Sequence, residues 1–115
     1  MDTAIVFTYG RPTAGREKLA FEAFQDAMTF WEKKAIDGLC SHPMPYTMMD
    51  GGGFLIIHGD RARLMELLEL EEFQHIFLKA GFGVPDLTYR FAAVGDESVN
   101  RMGMWAGVGT ELGLF

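Results

Sequence analysis

The sequence predicts an α+β fold of four strands and two helical regions in the order βαββαβ, an antiparallel sheet with both helices on one face. Three observations predict it. First, the stretch His42 to Asp60, HPMPYTMMDGGGFLIIHGD, reads as two strands folded back on each other at a glycine-rich turn. Second, a strand-like run followed by a long amphipathic helix precedes this hairpin, and a helical region followed by a strand comes after it. Third, the prolines at 43 and 45 and the alternation near the end of the βαββαβ unit mark the second and fourth strands as the sheet's edges.

Thr3 to Tyr9 is the first strand, β-branched and aromatic with little polar relief, which suits a central position. Gly10 and Pro12 end it. From about Gly15 to Ile36 the spacing predicts a helix. At 100° per residue, Ala20, Ala23, Phe24, Ala27, Met28, Trp31 and Ala35 share one side, opposite Lys18, Glu22, Gln25, Asp26, Glu32 and Lys33. Glu17 at its start and Lys33 and Lys34 near its end suit the macrodipole, and Gly38 occupies the left-handed position after the last turn.

Cys40 to Met49 follows as an edge strand, because proline cannot donate to a ladder. Asp50-Gly51 is a type I′ hairpin dipeptide, with Gly52 and Gly53 allowing a bulge beside it. Phe54 to His58 is a central strand. Asp60 stands where it can cap the next helix, whose first part gathers Leu64, Met65, Leu67 and Leu68 on one side. Beyond Glu69 the apolar set becomes Phe73, Ile76, Phe77 and Ala80, centred about 150° further round, so one straight helix cannot bury both sets. A break is expected near Leu70 to Glu72. Gly81, Gly83 and Pro85 close the helical region, and Leu87 to Val94 alternates as the second edge strand.

Two helices cover one face of such a sheet, yet the inner strands are apolar on both: Ile5, Phe7 and Tyr9 against Ala4 and Val6, and Phe54 and Ile56 against Leu55 and Ile57. The expected solution is a homodimer packed through the helix-free sheet face. Residues 1–95 form this domain. Residues 96–115 are a Gly-rich apolar arm, carrying Met102, Met104, Trp105, Val108, Leu112, Leu114 and Phe115. Its glycines each disfavour a helix by about 1 kcal/mol, which points to an arm or extra strand packed on the domain or the partner.

Composition excludes several classes. The 10 Lys+Arg against 16 Asp+Glu give a formal charge of −6, and the basic residues are scattered, so neither nucleic acid nor an anionic membrane is expected as a partner. No apolar run is long enough to span a bilayer, and the first residues lack the basic start of a signal peptide. One cysteine, Cys40, permits no intrachain disulfide and suits the cytoplasm. Cys40 and His42 share a spacing but have no further ligands nearby, so no metal is expected. Gly51 to Gly53 is followed by a strand instead of the helix N-terminus that a phosphate loop needs.

The βαββαβ order, the first strand leading through RPTAG into a long amphipathic helix, and the pattern LLELEEFQHIF at the helix break resemble the dimeric α+β barrel superfamily of ferredoxin-like folds, over about Thr3 to Val94. That resemblance implies a homodimer with a ligand cleft between sheet and helices. It also implies relatives that include cofactor-independent monooxygenases, isomerases and haem-degrading enzymes. The haem-degrading branch is expected to have His, Trp and Asn at positions that hold Phe77, Leu67 and about Thr8 here. Haem would then need His75 or His58 as its ligand, and no cofactor is expected.

His58 and His75 are the candidate proton-transfer groups, since imidazole titrates near neutral pH; each also has a structural reading as a satisfied neutral side chain. Tyr9, Phe24, Trp31, Phe54 and Arg90 are candidates for ligand contact, the aromatics for an apolar body and Arg90 and Tyr9 for a carboxylate or carbonyl. Two functions follow. One is binding of a small, largely apolar or aromatic molecule, with cofactor-independent oxygenation or isomerisation as its chemistry. The other is a non-catalytic structural or stress-related dimer whose cleft is filled by its own side chains. Room in the cleft with a histidine exposed in it favours the first.

Overall fold

A computed structural model describes residues 1–115. The elements are β1 (Thr3–Tyr9), α1 (Glu17–Ile36), β2 (Met44–Thr47), β3 (Gly53–Gly59), α2 (Arg61–Leu68), α3 (Glu71–Gly83), β4 (Thr88–Ala93) and α4 (Asp96–Glu111). The sheet runs β2-β3-β1-β4 with every pairing antiparallel, so β1 and β3 are inside and the proline-bearing β2 is an edge. That is the expected placement.

Register fixes which side chains share a face. Ile5 pairs with Ile57 and Phe91, and Phe7 with Leu55 and Tyr89, on the side that the helices cover. Ile5 and Ile57 have no exposed surface and join Trp31, Leu64, Phe73 and Cys40 in one apolar core. Ala4, Val6 and Thr8 pair with His58, Ile56 and Phe54, and Val6 also with Arg90, on the opposite side.

The helical region breaks where the two apolar sets predict it. Leu70 is extended between α2 and α3, so Leu64, Leu67 and Leu68 are buried from one helix and Phe73 and Ile76 from the next. Glu71 and Glu72 lie in the first turn of α3. Gly38 takes φ +77° after α1, as its position requires. Gly83 lets α3 approach α1 closely: a Cβ there would stand 3.0 Å from the Ala20 backbone.

Four details differ from expectation. β2 is shorter than Cys40 to Met49. Before it, Ser41 continues the pairing instead, its N–H donating to the His58 carbonyl at 2.8 Å and its Oγ accepting the His58 N–H at 2.8 Å. The hairpin turn is not type I′, since only Gly51 has positive φ; the Gly51 N–H donates to the Met48 carbonyl, and the Asp50 carboxylate accepts the Gly52 N–H at 2.9 Å. This is a three-residue loop ending in left-handed glycine. Phe30 is buried beside Trp31, because α3 wraps further round α1 than a single apolar stripe implies.

The fourth difference is the largest. The segment expected as an arm or strand is a helix, α4, whose local contacts offset its glycines. Asp96 and Glu97 stand in the first turn, Glu97 pairs with Arg101 at 3.1 Å, and the Trp105 and Phe115 rings lie 5.1 Å apart. Gly113, at φ +73°, closes the end, with Leu114 N–H donating to the Gly109 carbonyl and Gly113 N–H to that of Thr110. Its main contact with the body is β4. The radius of gyration is 16.4 Å, against about 13 Å for a compact chain of this length, so α4 stands off the body. No helix is long and apolar enough to cross a membrane.

Two glycines of α3 separate packing from propensity. Gly81 has nothing within 4 Å of an added Cβ, whereas Gly83 faces the Ala20 backbone. Urea unfolding is expected to show Gly81→Ala stabilised by about 0.4–1 kcal/mol. Gly83→Ala should be destabilised by about 1–3 kcal/mol, because two helices must separate to admit the methyl group. Equal effects at both positions would contradict this packing.

Candidate functional site

Between the sheet and the helices α1 and α3 lies a cavity of about 480 Å³. Its walls follow from the sequence of α1. Ala20, Ala23 and Ala27 recur on the buried face at helical spacing, and where larger side chains would meet the sheet they leave space. The floor is aromatic: Phe7, Trp31, Phe73 and Phe77, with the Trp31 and Phe73 ring centroids 5.6 Å apart and Phe73 stacked on Phe77 at 5.8 Å. Trp31 and Leu55 are buried, whereas Glu17, Phe21, Thr47 and Gly51 are exposed, so these four mark the open end.

The expected ligand-contact residues divide. Tyr9, Phe24 and Trp31 line the cavity, with the Tyr9 and Phe24 rings edge to face at 6.5 Å. Phe54 and Arg90 do not. Both project from the helix-free face, where Phe54 stacks on Tyr46 at 4.7 Å. His58 shares that face, two residues along β3 from Ile56, and therefore does not stand in the cleft. His75 is exposed on α3 and borders a shallow depression with Asp26, Glu71 and Glu72. The two histidines are thus on different surfaces, and neither meets the cavity. Strand parity correctly groups His58 with Phe54 and Ile56; what it cannot give, in a strand apolar on both sides, is which side the helices take.

Like Phe21 and Thr47, Glu17 and the three alanines are among the lining residues not expected at a site. Their signal is a row of alanines on the buried face of a helix whose other core positions are aromatic, which marks a deficit of volume.

The cavity offers few polar groups: the Tyr9 phenol, the Glu17 carboxylate and the Thr47 hydroxyl. Burial raises the Tyr9 pKa above its ordinary value, so the phenol is a neutral donor at physiological pH. Outside the cavity, burial also raises the Cys40 thiol, aided by the Glu32 carboxylate, and Cys40 packs as an inert core residue. His42 pairs with Glu32, Nδ1 to Oε2 at 2.7 Å. No three His, Cys, Asp or Glu side chains cluster as metal ligands. The cavity lining has no imidazole, so a histidine-ligated haem, the kind that His58 or His75 was expected to hold, has no axial ligand there.

No family model and no curated protein matches the chain by sequence. Solved structures do match it by shape. Rv0793 from Mycobacterium tuberculosis superposes with a TM-score of 0.65 at 17% identity, covering 85% of this chain and 99% of its own. A Deinococcus radiodurans protein, named provisionally as an antibiotic biosynthesis monooxygenase, gives 0.64 at 13% identity over 84% and 94%. PA3566 from Pseudomonas aeruginosa gives 0.63 at 10% identity over 82% and 94%. What these structures share with the chain is a ferredoxin-like α+β fold, a four-stranded antiparallel sheet packed against helices. At such low identity the shared property is architecture, and the cavity's chemistry has to be read from its own residues.

Tyr9 gives a direct check on that chemistry. With its folded pKa raised, the native protein keeps the phenol protonated while the unfolded chain begins to lose its proton at about pH 10. Stability should therefore fall as pH rises from about 10 through the folded pKa. Tyr9→Phe should remove that part of the fall, as followed by urea unfolding across alkaline pH. An identical alkaline profile in both proteins would place the phenol in water.

Proposed function

We propose that the protein binds a small, largely apolar or aromatic organic molecule in the cavity between the sheet and α1 and α3, and does so as a homodimer. The observation that carries this reading is the cavity itself: an open chamber of about 480 Å³ with an aromatic floor and only three polar side chains. A structural dimer with a self-filled cleft is the competing class, and the alanine wall of α1 argues against it. The monooxygenase description of the Deinococcus radiodurans neighbour supports oxygenation of the bound molecule as the chemistry. With His58 and His75 outside the chamber, Glu17 and Tyr9 are the groups that could exchange a proton with it. The one thiol, buried in the core, is consistent with a cytoplasmic setting.

The dimer reading rests on the surface the helices leave open. Val6, Phe54 and Ile56 are half-buried there, and Tyr46 and Met44 of the edge strand are exposed. α4 adds more apolar surface, with Trp105 68% and Leu112 68% exposed. Together these form the kind of apolar surface that a partner covers. In this reading a second copy packs on the helix-free face, and residues 96–115 reach onto it.

Two measurements test the proposal. N-phenylnaphthylamine, a neutral fluorescent aromatic, is expected to brighten on binding, and Ala27→Trp, which fills the chamber from α1, should abolish the response. Brightening that survives Ala27→Trp would put the probe elsewhere. For the dimer, sedimentation at micromolar concentration should give two chains per particle. Phe54→Asp should dissociate it and cutting the chain after Glu97 should weaken it; a monomeric unmutated protein would end the dimer reading.

A further inference from the structure

We propose that Glu17 sets the charge of the molecule the cavity accepts, so that an apolar ligand ending in a protonated amine is bound in preference to the same ligand ending in a carboxylate. This rests on the cavity reading above and adds the ligand's charge class to it.

Glu17 is the one charged side chain in the lining; no lysine, arginine or histidine accompanies it. It is also unpaired. The carboxylates of Glu22, Asp26, Glu32, Glu66 and Glu97 each stand within 4.0 Å of a basic side chain, but that of Glu17 does not. The adjacent Arg16 guanidinium is engaged elsewhere, donating to the Phe82 carbonyl at 2.8 Å. Instead Glu17 Oε2 accepts the Gly15 N–H at 3.3 Å, a contact that ties the carboxylate to the loop entering α1.

The one formal charge in the lining itself is therefore negative, while the Arg16 charge is held at the Phe82 carbonyl outside the lining. The start of α1 contributes a partial positive charge of roughly half a unit, which offsets the full charge of Glu17 only in part. A ligand whose apolar body occupies the aromatic floor would bring its head group to the exposed end of the lining. A carboxylate there would meet a like charge beside low-dielectric walls, with no lining cation to pair it. An ammonium group would meet its counter-ion. The chain's net charge of −6 acts in the same direction over longer range.

The test is competition. Decylamine, decanol and decanoate share one tail and differ in head group, and each is titrated below its micelle concentration against bound N-phenylnaphthylamine. At neutral pH and low salt, decylamine should displace the probe at a concentration about fivefold or more below decanoate, with decanol between, as expected for one unit charge in a partly solvated site. The gap should narrow in high salt. It should collapse in Glu17→Gln and reverse in Glu17→Lys, with circular dichroism confirming the fold of each variant. Equal displacement by decylamine and decanoate in the unmutated protein would overturn the proposal, as would a gap that Glu17→Gln leaves intact. Failure of N-phenylnaphthylamine to bind at all would overturn the cavity reading, and the charge assignment with it. Glu17→Ala, which keeps a strong helix former at the start of α1, is read in the same way should Glu17→Gln not fold, and a gap intact in it equally overturns the proposal.

Discussion

Trp31 has no exposed surface and touches the parts of the molecule that must be held in register. Its ring lies 5.0 Å from Phe30 on its own helix, 5.6 Å from Phe73 on α3 and 6.1 Å from Phe7 on β1. Aromatic groups of this size bury large areas and prefer tilted or edge-on contact, so the cluster fixes helix orientation as well as separation. Gly83 against Ala20 sets how closely α3 can approach. The same cluster is the floor of the cavity, and for that reason the chamber has a defined shape: it is bounded by the best-packed part of the protein.

The sheet imposes a second constraint through its period of two. Paired residues share a face, so every assignment on β1, β3 and β4 follows once one residue is placed. Ile5, Phe7, Leu55 and Ile57 face the helices. His58, Ile56, Phe54, Val6 and Arg90 face away from them. The outward face carries apolar side chains that no helix of the same chain covers, and α4 shows the same lack of cover for Trp105, Met102 and Leu112. In the proposed reading, apolar surface in these two places is what a second copy would cover.

Much of the fold was legible in sequence because local and tertiary preferences agree. Pro43 and Pro45 demote β2 to an edge, the shift in apolar phase after Glu69 demands the break at Leu70, and Gly38 ends α1 where a left-handed residue is needed. α4 was not legible as a helix, because Gly103, Gly107 and Gly109 count against it locally while the Glu97–Arg101 pair, the Trp105–Phe115 contact and the Gly113 closure act across turns. The site was half legible. Tyr9, Phe24 and Trp31 were found from aromatic character and phase, but His58 and Phe54 belong to a strand apolar on both faces, where alternation cannot show which face meets the helices. Glu17 was hidden by a sufficient local reason for its presence at the start of α1.

The size of the chamber bears on whether it has an occupant. Were it a closed, dry void, the cavity term of roughly 24 cal/mol per Å³ would cost on the order of 10 kcal/mol. That is comparable with the whole stability of a domain, about 5–15 kcal/mol. The fold avoids such a cost by leaving the chamber open at Glu17, Phe21, Thr47 and Gly51. Water that enters finds an aromatic floor and few hydrogen-bonding partners, so its displacement by an apolar molecule is favourable. A molecule that binds only the folded chain also stabilises it, by an amount that grows with the logarithm of its concentration over its dissociation constant. Under the proposed function, the alanine row of α1 would exchange packing within one chain for stability that depends on a ligand.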